Sequence, residues 1–430
     1  MVTKAERRKH EKPNTKSQSR AERSIINFPC GFVFSFLGFV MTYDFDTVID
    51  RKSTSSAKWN WYPPDVLPLW VADMDFPSPD AVADAIRTRA DHNVYGYQMD
   101  LPSLRSLLVE RLAQRHALTI APEHILFIPG LVVALNLICR TLVEAGAGVI
   151  VQPPVYPPFL TAPTNSGRVT IPVSLTPIHE GTRLRYAIDF EALHAAVTPN
   201  TQAFIFCNPH NPIGHVYTRA ELEQVAAFVI EHDLLLISDE IHCDLVFAPH
   251  QHISIASLSP AIAARTITLL APSKTFNTPG LACASIIVSD DDRRTRLSNG
   301  MFANGMIVNN IGFVAADAAY RHGQAWLDQV MAYLSENLDL LTTYVQGNFP
   351  QATITAVAGT YLAWIDFSAY QLEGGAYKFF LEQAKVALND GATFGGTDYA
   401  DCVRLNFACT RKTLWEALRR MSAAVNQPKD

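Results

Sequence analysis

Lys274 stands in a setting that is unusual for a lysine, within the segment APSKTFNTPGL at residues 271–281. An apolar run at residues 266–270 predicts a buried strand that ends just before this segment. A lysine in the loop after a buried strand can be desolvated, lose its proton readily and form an imine with an aldehyde cofactor. Plain surface charge is the alternative interpretation, so the prediction depends on what the neighbouring strand ends carry.

Two further apolar runs predict strands that end in polar residues. Residues 203–207 lead into CNPHNPIG, which contains Asn211, and residues 234–238 lead into Asp239. Short, continuous apolar runs rich in branched residues are typical of a parallel sheet covered on both faces. The sequence therefore predicts an α/β fold.

A helix is predicted between these two strands, because Thr218 and Glu221 have the spacing of a capping box. The unit is thus strand, helix, strand. In open α/β sheets the ligand crevice lies outside the carboxyl ends of the strands. We therefore expect Asn211, Asp239 and Lys274 to meet in one crevice, where an amide, a carboxylate and an amine suit pyridoxal phosphate (PLP).

Several longer strings carry a family resemblance. CNPHNPIG, SDEIHCDLVF and APSKTFNTPGL, in this order, resemble the fold-type I PLP enzymes of the aminotransferase class I/II superfamily. LPLWVADMDFPSP at residues 67–79, with DEIHCD, is similar to the narrower MalY/PatB group of cystathionine β-lyase-like carbon–sulfur lyases. The resemblance covers nearly everything from Met41 to the C-terminus. It implies a large domain with a mostly parallel sheet covered by helices and a smaller α+β domain.

The expected domain boundaries follow from this resemblance and from the change of pattern along the chain. We interpret residues 41–75 as an N-terminal arm and part of the small domain, residues 76–320 as the large PLP-binding domain, and residues 321–430 as the small C-terminal domain. Residues 1–40 are first polar and basic and then apolar, unlike the rest of the chain. They are predicted to be disordered, and we prefer a wrongly chosen upstream start codon to a targeting signal.

The resemblance implies roles for the residues at the strand ends. Lys274 would hold PLP covalently and later act as the base at the substrate Cα. Asp239 would pair with the pyridine nitrogen and keep it protonated, so that the ring can accept electrons. Asn211 and His242 would hydrogen-bond the phenolic oxygen, although many aminotransferases carry a tyrosine at the position of His242. Ser273 could donate a hydrogen bond to the phosphate.

Further residues are expected around the ring and the phosphate. Gly130 and Leu131 open a predicted helix, whose free N–H groups and dipole suit a phosphate. Tyr156 could lie flat against the pyridine ring, with a core position as the alternative. By resemblance, Tyr97 would reach the phosphate of the neighbouring subunit, which implies a homodimer; here too a core tyrosine is the alternative. Ala282 stands where many relatives carry a phosphate-binding arginine, which predicts weaker or differently arranged anchoring.

Arg404 is the predicted anchor for the substrate carboxylate. It lies within an apolar predicted strand, where a desolvated charge needs a partner. A bidentate carboxylate is a suitable partner, and the resemblance implies that the substrate supplies it. A structural salt bridge is the alternative. The resemblance also implies that the loop containing Ala72 approaches the substrate.

The reaction class rests on the fate of the substrate once its Cα proton has been removed. Loss of a thiolate from Cβ leads to pyruvate and ammonia, whereas return of the proton to the cofactor leads to transamination. Lys274, Asp239 and Asn211 serve both outcomes. The MalY/PatB resemblance favours β-elimination from cystathionine or another S-substituted cysteine, with an aminotransferase as the main alternative and a PLP-bound regulator acting by protein contact as a third.

The composition argues against several other classes of function. The 430 residues include 35 Lys and Arg against 41 Asp and Glu, and this net charge of −6 gives no reason to expect a nucleic-acid partner. No apolar run approaches the roughly 18–20 residues needed to cross a bilayer. Seven scattered cysteines fit reduced thiols in a cytoplasmic protein. No metal site is expected, although a metal interpretation was considered for His210, His215, His242, His250 and His252.

Overall fold

The structure is a computed structural model that describes residues 42–426, so the expected disorder of residues 1–40 lies outside the described residues. In chain order, the helices are α1 (Ala57–Asn60), α2 (Asp80–Asp91), α3 (Pro102–His116), α4 (Leu131–Leu142), α5 (Pro157–Asn165), α6 (Phe190–Ala196), α7 (Arg219–Glu231), α8 (Pro260–Ala263), α9 (Pro272–Thr275), α10 (Asp291–Ala303), α11 (Asn310–His322), α12 (Gln324–Asn348), α13 (Ala376–Phe379) and α14 (Arg411–Val425). The strands are β1 (Leu67–Pro68), β2 (Ile125–Ile128), β3 (Gly148–Val151), β4 (Val169–Pro172), β5 (Thr176–Glu180), β6 (Arg183–Ala187), β7 (Thr201–Cys207), β8 (Leu235–Asp239), β9 (Thr266–Leu270), β10 (Ala284–Ile287), β11 (Thr353–Thr355), β12 (Leu362–Asp366), β13 (Val386–Ala387), β14 (Asn389–Asp390) and β15 (Cys402–Asn406).

The three apolar runs predicted as strands are β7, β8 and β9, and they lie side by side in one large sheet. Within residues 42–426 this sheet has seven strands in the order β2–β10–β9–β8–β7–β3–β4. Neighbours from β9 to β4 are parallel, and β10 runs antiparallel to both of its neighbours. The prediction of a mostly parallel sheet is confirmed.

Apolar side chains cover both faces of this sheet, as its continuous apolar strands require. Ile237 packs with residues of α4 and α5 on one face, whereas Phe204 and Leu236 pack with residues of α7 on the other. The α7 helix begins at the predicted capping box. The Glu221 amide donates to Thr218 Oγ1 at 3.3 Å, and the Thr218 amide donates to Glu221 Oε2 at 2.7 Å.

A second sheet holds the C-terminal strands, in the order β14–β15–β12–β11–β6–β5. Its β5–β6 hairpin comes from residues 176–187, inside the range 76–320 that the sequence assigns to the large domain. The hairpin joins through β6, which runs parallel to β11 with Arg183 opposite Ile354. No strand is predicted for residues 176–187, because β5 is exposed at most positions and lacks an apolar run.

Two segments differ from the sequence predictions. Residues 290–296 are predicted as a charged turn, but the helix α10 begins there because the Asp290 side chain accepts from the Arg293 amide at 2.8 Å. The charged side chains of α10 form ion pairs one helical turn apart. A count of charged residues does not show this helical spacing. A helix is predicted for residues 375–388, but α13 ends at Phe379, and the chain continues through a wide helical turn into β13, which pairs with β1.

None of the helices in residues 42–426 combines the length and the apolar character that a membrane span requires.

Candidate active site

Asn211, Asp239 and Lys274 follow three neighbouring parallel strands. Since β8 pairs with both β7 and β9, the carboxyl ends of these strands lie at one edge of the sheet. Lys274 does not lie in a loop, as the sequence predicts, but on the short helix α9. Pro272 opens this helix, because its fixed φ suits a first helical turn.

The Lys274 amine lies between a backbone carbonyl group and several charged side chains. Its Nζ atom donates a hydrogen bond to the Ala72 carbonyl oxygen at 2.6 Å. Burial and, to a smaller extent, the charge of Arg404 lower the pKa of Lys274 to about 8, against the opposing effects of Asp73 and Asp239. An amine with a pKa this close to neutral can act as a nucleophile or as a base.

Asp239 is a buried carboxyl group at the end of β8. Burial raises the pKa of Asp239 to about 7, and the charge of Glu240 adds to the increase. The Ile241 amide, which donates to Asp239 Oδ1 at 3.0 Å, and the charge of Lys274 act in the opposite direction. A protonated ring nitrogen placed beside this group would stabilise its anionic form.

Arg404 is buried on β15 and is held by neutral groups. Its guanidinium donates to Asn211 Oδ1 at 2.9 Å, to the Trp70 carbonyl oxygen at 3.0 Å and to Asn389 Oδ1, and it lies over the Phe394 ring at 5.1 Å. Within residues 42–426 no carboxylate pairs with it, and its Nε atom has no hydrogen-bond partner. Burial lowers the pKa of Arg404 to about 10, so the group stays charged at neutral pH. A structural salt bridge, the alternative role for Arg404, would need a carboxylate partner, and residues 42–426 supply none.

His242 and Tyr156 add neutral groups to the same crevice. In the described part of the chain, His242 is buried and its Nδ1 atom has no hydrogen-bond partner. Burial, together with the charges of Lys274 and Arg404, holds the pKa of His242 well below its usual range. The Tyr156 amide donates to the Asn211 carbonyl oxygen at 3.1 Å, and burial raises the pKa of the Tyr156 phenol. Neither side chain is therefore charged at neutral pH.

The residues expected at the phosphate differ in what the structure shows of them. A Cβ atom added at Gly130 would meet no heavy atom within 4 Å, so there is open space beside the residue that precedes α4. Ser273 is half-buried on α9, beside the lysine. Ala282 has a left-handed backbone, with φ of 49°, and its methyl group supplies no cation. Tyr97 is fully exposed, so the alternative of a core tyrosine is wrong.

Three residues near Lys274 are missed by sequence reasoning. The Tyr361 hydroxyl donates to the Ala72 carbonyl oxygen at 2.9 Å, Asn406 donates to the carbonyl oxygens on both sides of Ala72, and Asn277 donates to that of Met74. Asn406 gives a usable signal, because it is a polar residue inside an apolar strand. Tyr361 gives none, since an aromatic residue beside a buried strand is usually part of the core.

One of the histidines that invite a metal interpretation, His252, is paired with a carboxylate. Residues 248–251 are an exposed loop, as expected from Pro249 and Gln251, whereas His252 is buried and its Nε2 atom lies 2.9 Å from Glu240 Oε2. Two groups of possible ligands occur among the described residues: His116, Cys243 and Asp244, and His194, Glu231 and His232. In the first group, Asp244 already pairs with Arg111 and Arg115. A cation there would face two guanidinium groups, which disfavours metal binding.

The chemistry of the crevice fits PLP. It combines an amine of lowered pKa with a carboxyl group that a protonated ring nitrogen would stabilise. It also has two buried nitrogen atoms without a partner in residues 42–426, His242 Nδ1 and Arg404 Nε. Unpaired buried polar atoms are costly, and ligand atoms would remove that cost.

Comparison with known proteins agrees with this site. A family model described as "Aminotransferase class I and II" matches residues 64–421. The cystathionine beta-lyase PatB of Bacillus subtilis is 36% identical over 393 residues, covering 89% of this chain and 100% of PatB. Cystalysin from Treponema denticola, solved with pyridoxal 5'-phosphate, is 32% identical with a TM-score of 0.84, covering 89% of this chain and 99% of cystalysin. A PLP-bound C–S lyase from Staphylococcus hominis is 31% identical with a TM-score of 0.82, covering 91% and 100%. The chain belongs to the aminotransferase class I and II family.

Proposed function

We propose that this protein is a PLP-dependent carbon–sulfur lyase that cleaves cystathionine or another S-substituted cysteine to a thiol, pyruvate and ammonia. The observation that carries the proposal is the similarity to PatB over nearly the whole chain. The electrostatics support it, because Asp239 and Arg404 lie close enough to Lys274 for their charges to act on its amine. An amino-acid substrate suits this crevice, since Arg404 offers a guanidinium to its carboxylate.

PLP is the cofactor that we assign to the crevice. When bound, it supplies an aldehyde for covalent attachment and a ring that accepts electrons from the substrate Cα. The residues proposed to hold it are Lys274, Asp239, Asn211, His242, Tyr156, Ser273, Gly130, Leu131 and Tyr97 of the partner subunit.

Each charged group of the crevice has one task in this proposal. Lys274 Nζ takes the proton from the substrate Cα, for which an amine pKa of about 8 is well suited. Asp239 holds a proton on the ring nitrogen beside it. Arg404 fixes the substrate carboxylate, and the hydrogen bonds from Arg404 to Asn211 and Asn389 orient the guanidinium for that contact. After the Cα proton has been removed, the thiolate leaves from Cβ with the electrons of the C–S bond and takes up a proton, and water then converts the remaining aminoacrylate to pyruvate and ammonia. The carbonyl group of Ala72 lies on the substrate side of Lys274 in this proposal.

Transamination is the second candidate, because the matching family model is described by that activity. The same residues would bind and deprotonate the substrate in both cases. The reactions differ in whether a second substrate, a keto acid, is required.

The test gives the purified protein cystathionine alone and then an amino donor with 2-oxoglutarate. The lyase releases thiol and pyruvate in equal amounts in the first assay, without any keto acid. Glutamate in the second assay, with no thiol in the first, would contradict the lyase and support the aminotransferase. Lys274→Ala serves as the control for both assays.

We further propose that the protein is a homodimer and is cytoplasmic. The segment 92–100 exposes several large apolar side chains, namely Val94, Tyr95, Tyr97 and Met99. Exposed apolar patches favour a protein contact, and the family resemblance places Tyr97 of the partner subunit at the cofactor phosphate. Light scattering of the wild type gives the subunit number. Tyr97→Ala should weaken PLP binding, whereas unchanged binding would remove Tyr97 from the site.

The cytoplasmic location agrees with the six free, buried cysteines of the described residues.

A further inference from the structure

Four charged side chains of the N-terminal arm form a buried group, which we call the arm cluster: Arg51, Lys58, Asp73 and Asp75. Arg51 contacts Asp73 and Asp75, each at 2.7 Å. Lys58 Nζ lies 2.8 Å from Asp75 Oδ2 and 3.5 Å from Asp73 Oδ1, and the Lys58 side chain is 0% exposed. Two cations thus balance two anions in a cluster that is largely shielded from water, with Arg51 partly exposed at its edge. Removal of any one member leaves a buried charge without full compensation, which is strongly unfavourable.

The arm cluster is continuous with the backbone that meets Lys274. Asp73 directly follows Ala72, whose carbonyl oxygen accepts the hydrogen bond from Lys274. Asn406 Nδ2 donates to the carbonyl oxygens of Val71 and Asp73, on both sides of Ala72, at 2.6 and 2.7 Å. Asn406 therefore holds the backbone on both sides of Ala72, and the arm cluster holds the side chain of the next residue, Asp73.

We propose that Asp73, held by Arg51 and Lys58, is a positioning residue for Lys274: it fixes the Ala72 carbonyl oxygen at the lysine nitrogen and supplies a negative charge to that nitrogen. The proposal rests on the proposed function only in assuming that PLP is attached at Lys274. It gives the arm cluster a role in the chemistry, beyond that of joining the arm to the rest of the chain.

Charged side chains on three elements of the structure affect the protonation of the Lys274 amine. Asp73 on the arm and Asp239 on β8 raise the pKa of Lys274, and Arg404 on β15 lowers it. The other titratable groups around the site are His242 and Tyr361. Burial holds the pKa of His242 well below its usual range and raises that of Tyr361, so both are neutral near pH 7. Asp73 is therefore one of two anions that oppose Arg404 at Lys274.

The test is a pH titration of the visible absorbance of the PLP-loaded full chain, which reports the protonation of the lysine nitrogen. Asp73→Asn keeps the shape of the side chain and removes its charge. It should move the midpoint to lower pH by about 0.5 unit or more, because a neighbouring anion favours the protonated form. Asp75→Asn is the matched control. It makes the same change in the same cluster, but Asp75 is not among the charges that shift Lys274, so the midpoint should stay within about 0.2 unit.

Arg51→Met should shift the midpoint in the opposite direction. It also serves as a second test if the Asp73→Asn variant does not fold. Arg51 is partly exposed, so its loss is tolerated better than that of Lys58. Without this guanidinium the Asp73 carboxylate is less neutralised, and the midpoint should rise. An unchanged midpoint in folded Asp73→Asn, an equal shift in Asp75→Asn, or a lower midpoint in Arg51→Met would overturn the proposal. A wild type without visible absorbance would instead contradict the proposed function itself.

Discussion

Arg404 donates a hydrogen bond to Asn211 Oδ1 at 2.9 Å, although 193 residues separate them in the chain. The contact joins β15 of the second sheet to the segment that follows β7 of the large sheet. The predicted carboxylate anchor and one of the predicted cofactor residues are thus coupled directly. Substrate binding at Arg404 and cofactor binding at Asn211 should therefore affect each other.

Replacing Arg404 by lysine should weaken substrate binding while PLP still binds. A lysine keeps the charge but cannot contact Asn211, Asn389 and a carboxylate together. Loss of one or two charge-assisted hydrogen bonds predicts a rise in KM of about 10- to 100-fold. Steady-state kinetics with cystathionine measure it, and Arg419→Lys, at an exposed arginine of α14, is the control. A KM equal to that of the wild type would separate Arg404 from the substrate.

Lys274→Ala should abolish the visible absorbance of the PLP-loaded protein and leave the fold intact. The substitution removes the amine proposed to attach the cofactor, and with it the hydrogen bond to the Ala72 carbonyl oxygen. The absorbance spectrum and borohydride labelling followed by peptide mass spectrometry measure the effect. Lys378→Ala, at an exposed lysine, should behave as the wild type. Labelling of a lysine other than Lys274 would show that the attachment site is elsewhere.

Asp239→Asn should depress turnover by about 100-fold or more, because the amide cannot hold a proton on the ring nitrogen as a carboxylate does. Shape is kept, so the protein should still fold. Asp233→Asn is the matched control, since Asp233 is exposed just before β8 and pairs only with Arg265 among the described residues. Near-normal turnover in Asp239→Asn would contradict the assigned role.

Asp239 also predicts a pH dependence of stability in the cofactor-free protein. Its pKa in the folded chain is about 7, above the ordinary value of 3.8, so its contribution to stability is fully present below about pH 4 and is lost as the pH rises through 7. Between pH 5 and 8 this loss amounts to about 2.5 kcal/mol in the free energy of unfolding. Urea unfolding at both pH values should show a smaller loss for Asp239→Asn. Equal losses in the two proteins would mean that burial does not raise this pKa.

Gly214→Ala should destabilise the fold more than Gly181→Ala. Both glycines have positive φ, of 69° and 62°, but only at Gly214 would a Cβ atom meet other atoms, with Val357 Cγ1 at 2.8 Å. Backbone strain alone predicts a loss of about 1 kcal/mol at Gly181, and the added clash predicts about 2–4 kcal/mol at Gly214. Thermal or urea unfolding measures the difference. Similar losses at the two sites would show that the neighbours of Gly214 move aside.

The parts of the fold that follow from local pattern are the parts that the sequence predicts well. The strands β7, β8 and β9 and the start of α7 agree with their apolar runs and capping box, because both signals lie within a few residues. The β5–β6 hairpin does not follow from such a signal, since its partner β11 is more than 150 residues away and its outer strand is polar.

The same distinction between local patterns and long-range contacts applies to the candidate site. Lys274 and Asp239 follow from their strand ends, and their assignment as PLP residues stays a prediction. Tyr361 and the arm cluster depend on contacts between distant segments, such as that of Lys58 with Asp75, which no local pattern records. The left-handed backbone at Ala282 is equally invisible in the sequence.

The β5–β6 hairpin has a consequence for any attempt to divide this protein into fragments. Since residues 176–187 complete the edge of the second sheet beside β11, a C-terminal fragment beginning at residue 321 would leave that edge without its partner strand. Unpaired strand edges promote association between chains. Such a fragment should therefore aggregate when expressed alone, and addition of the hairpin as a separate peptide should restore its solubility.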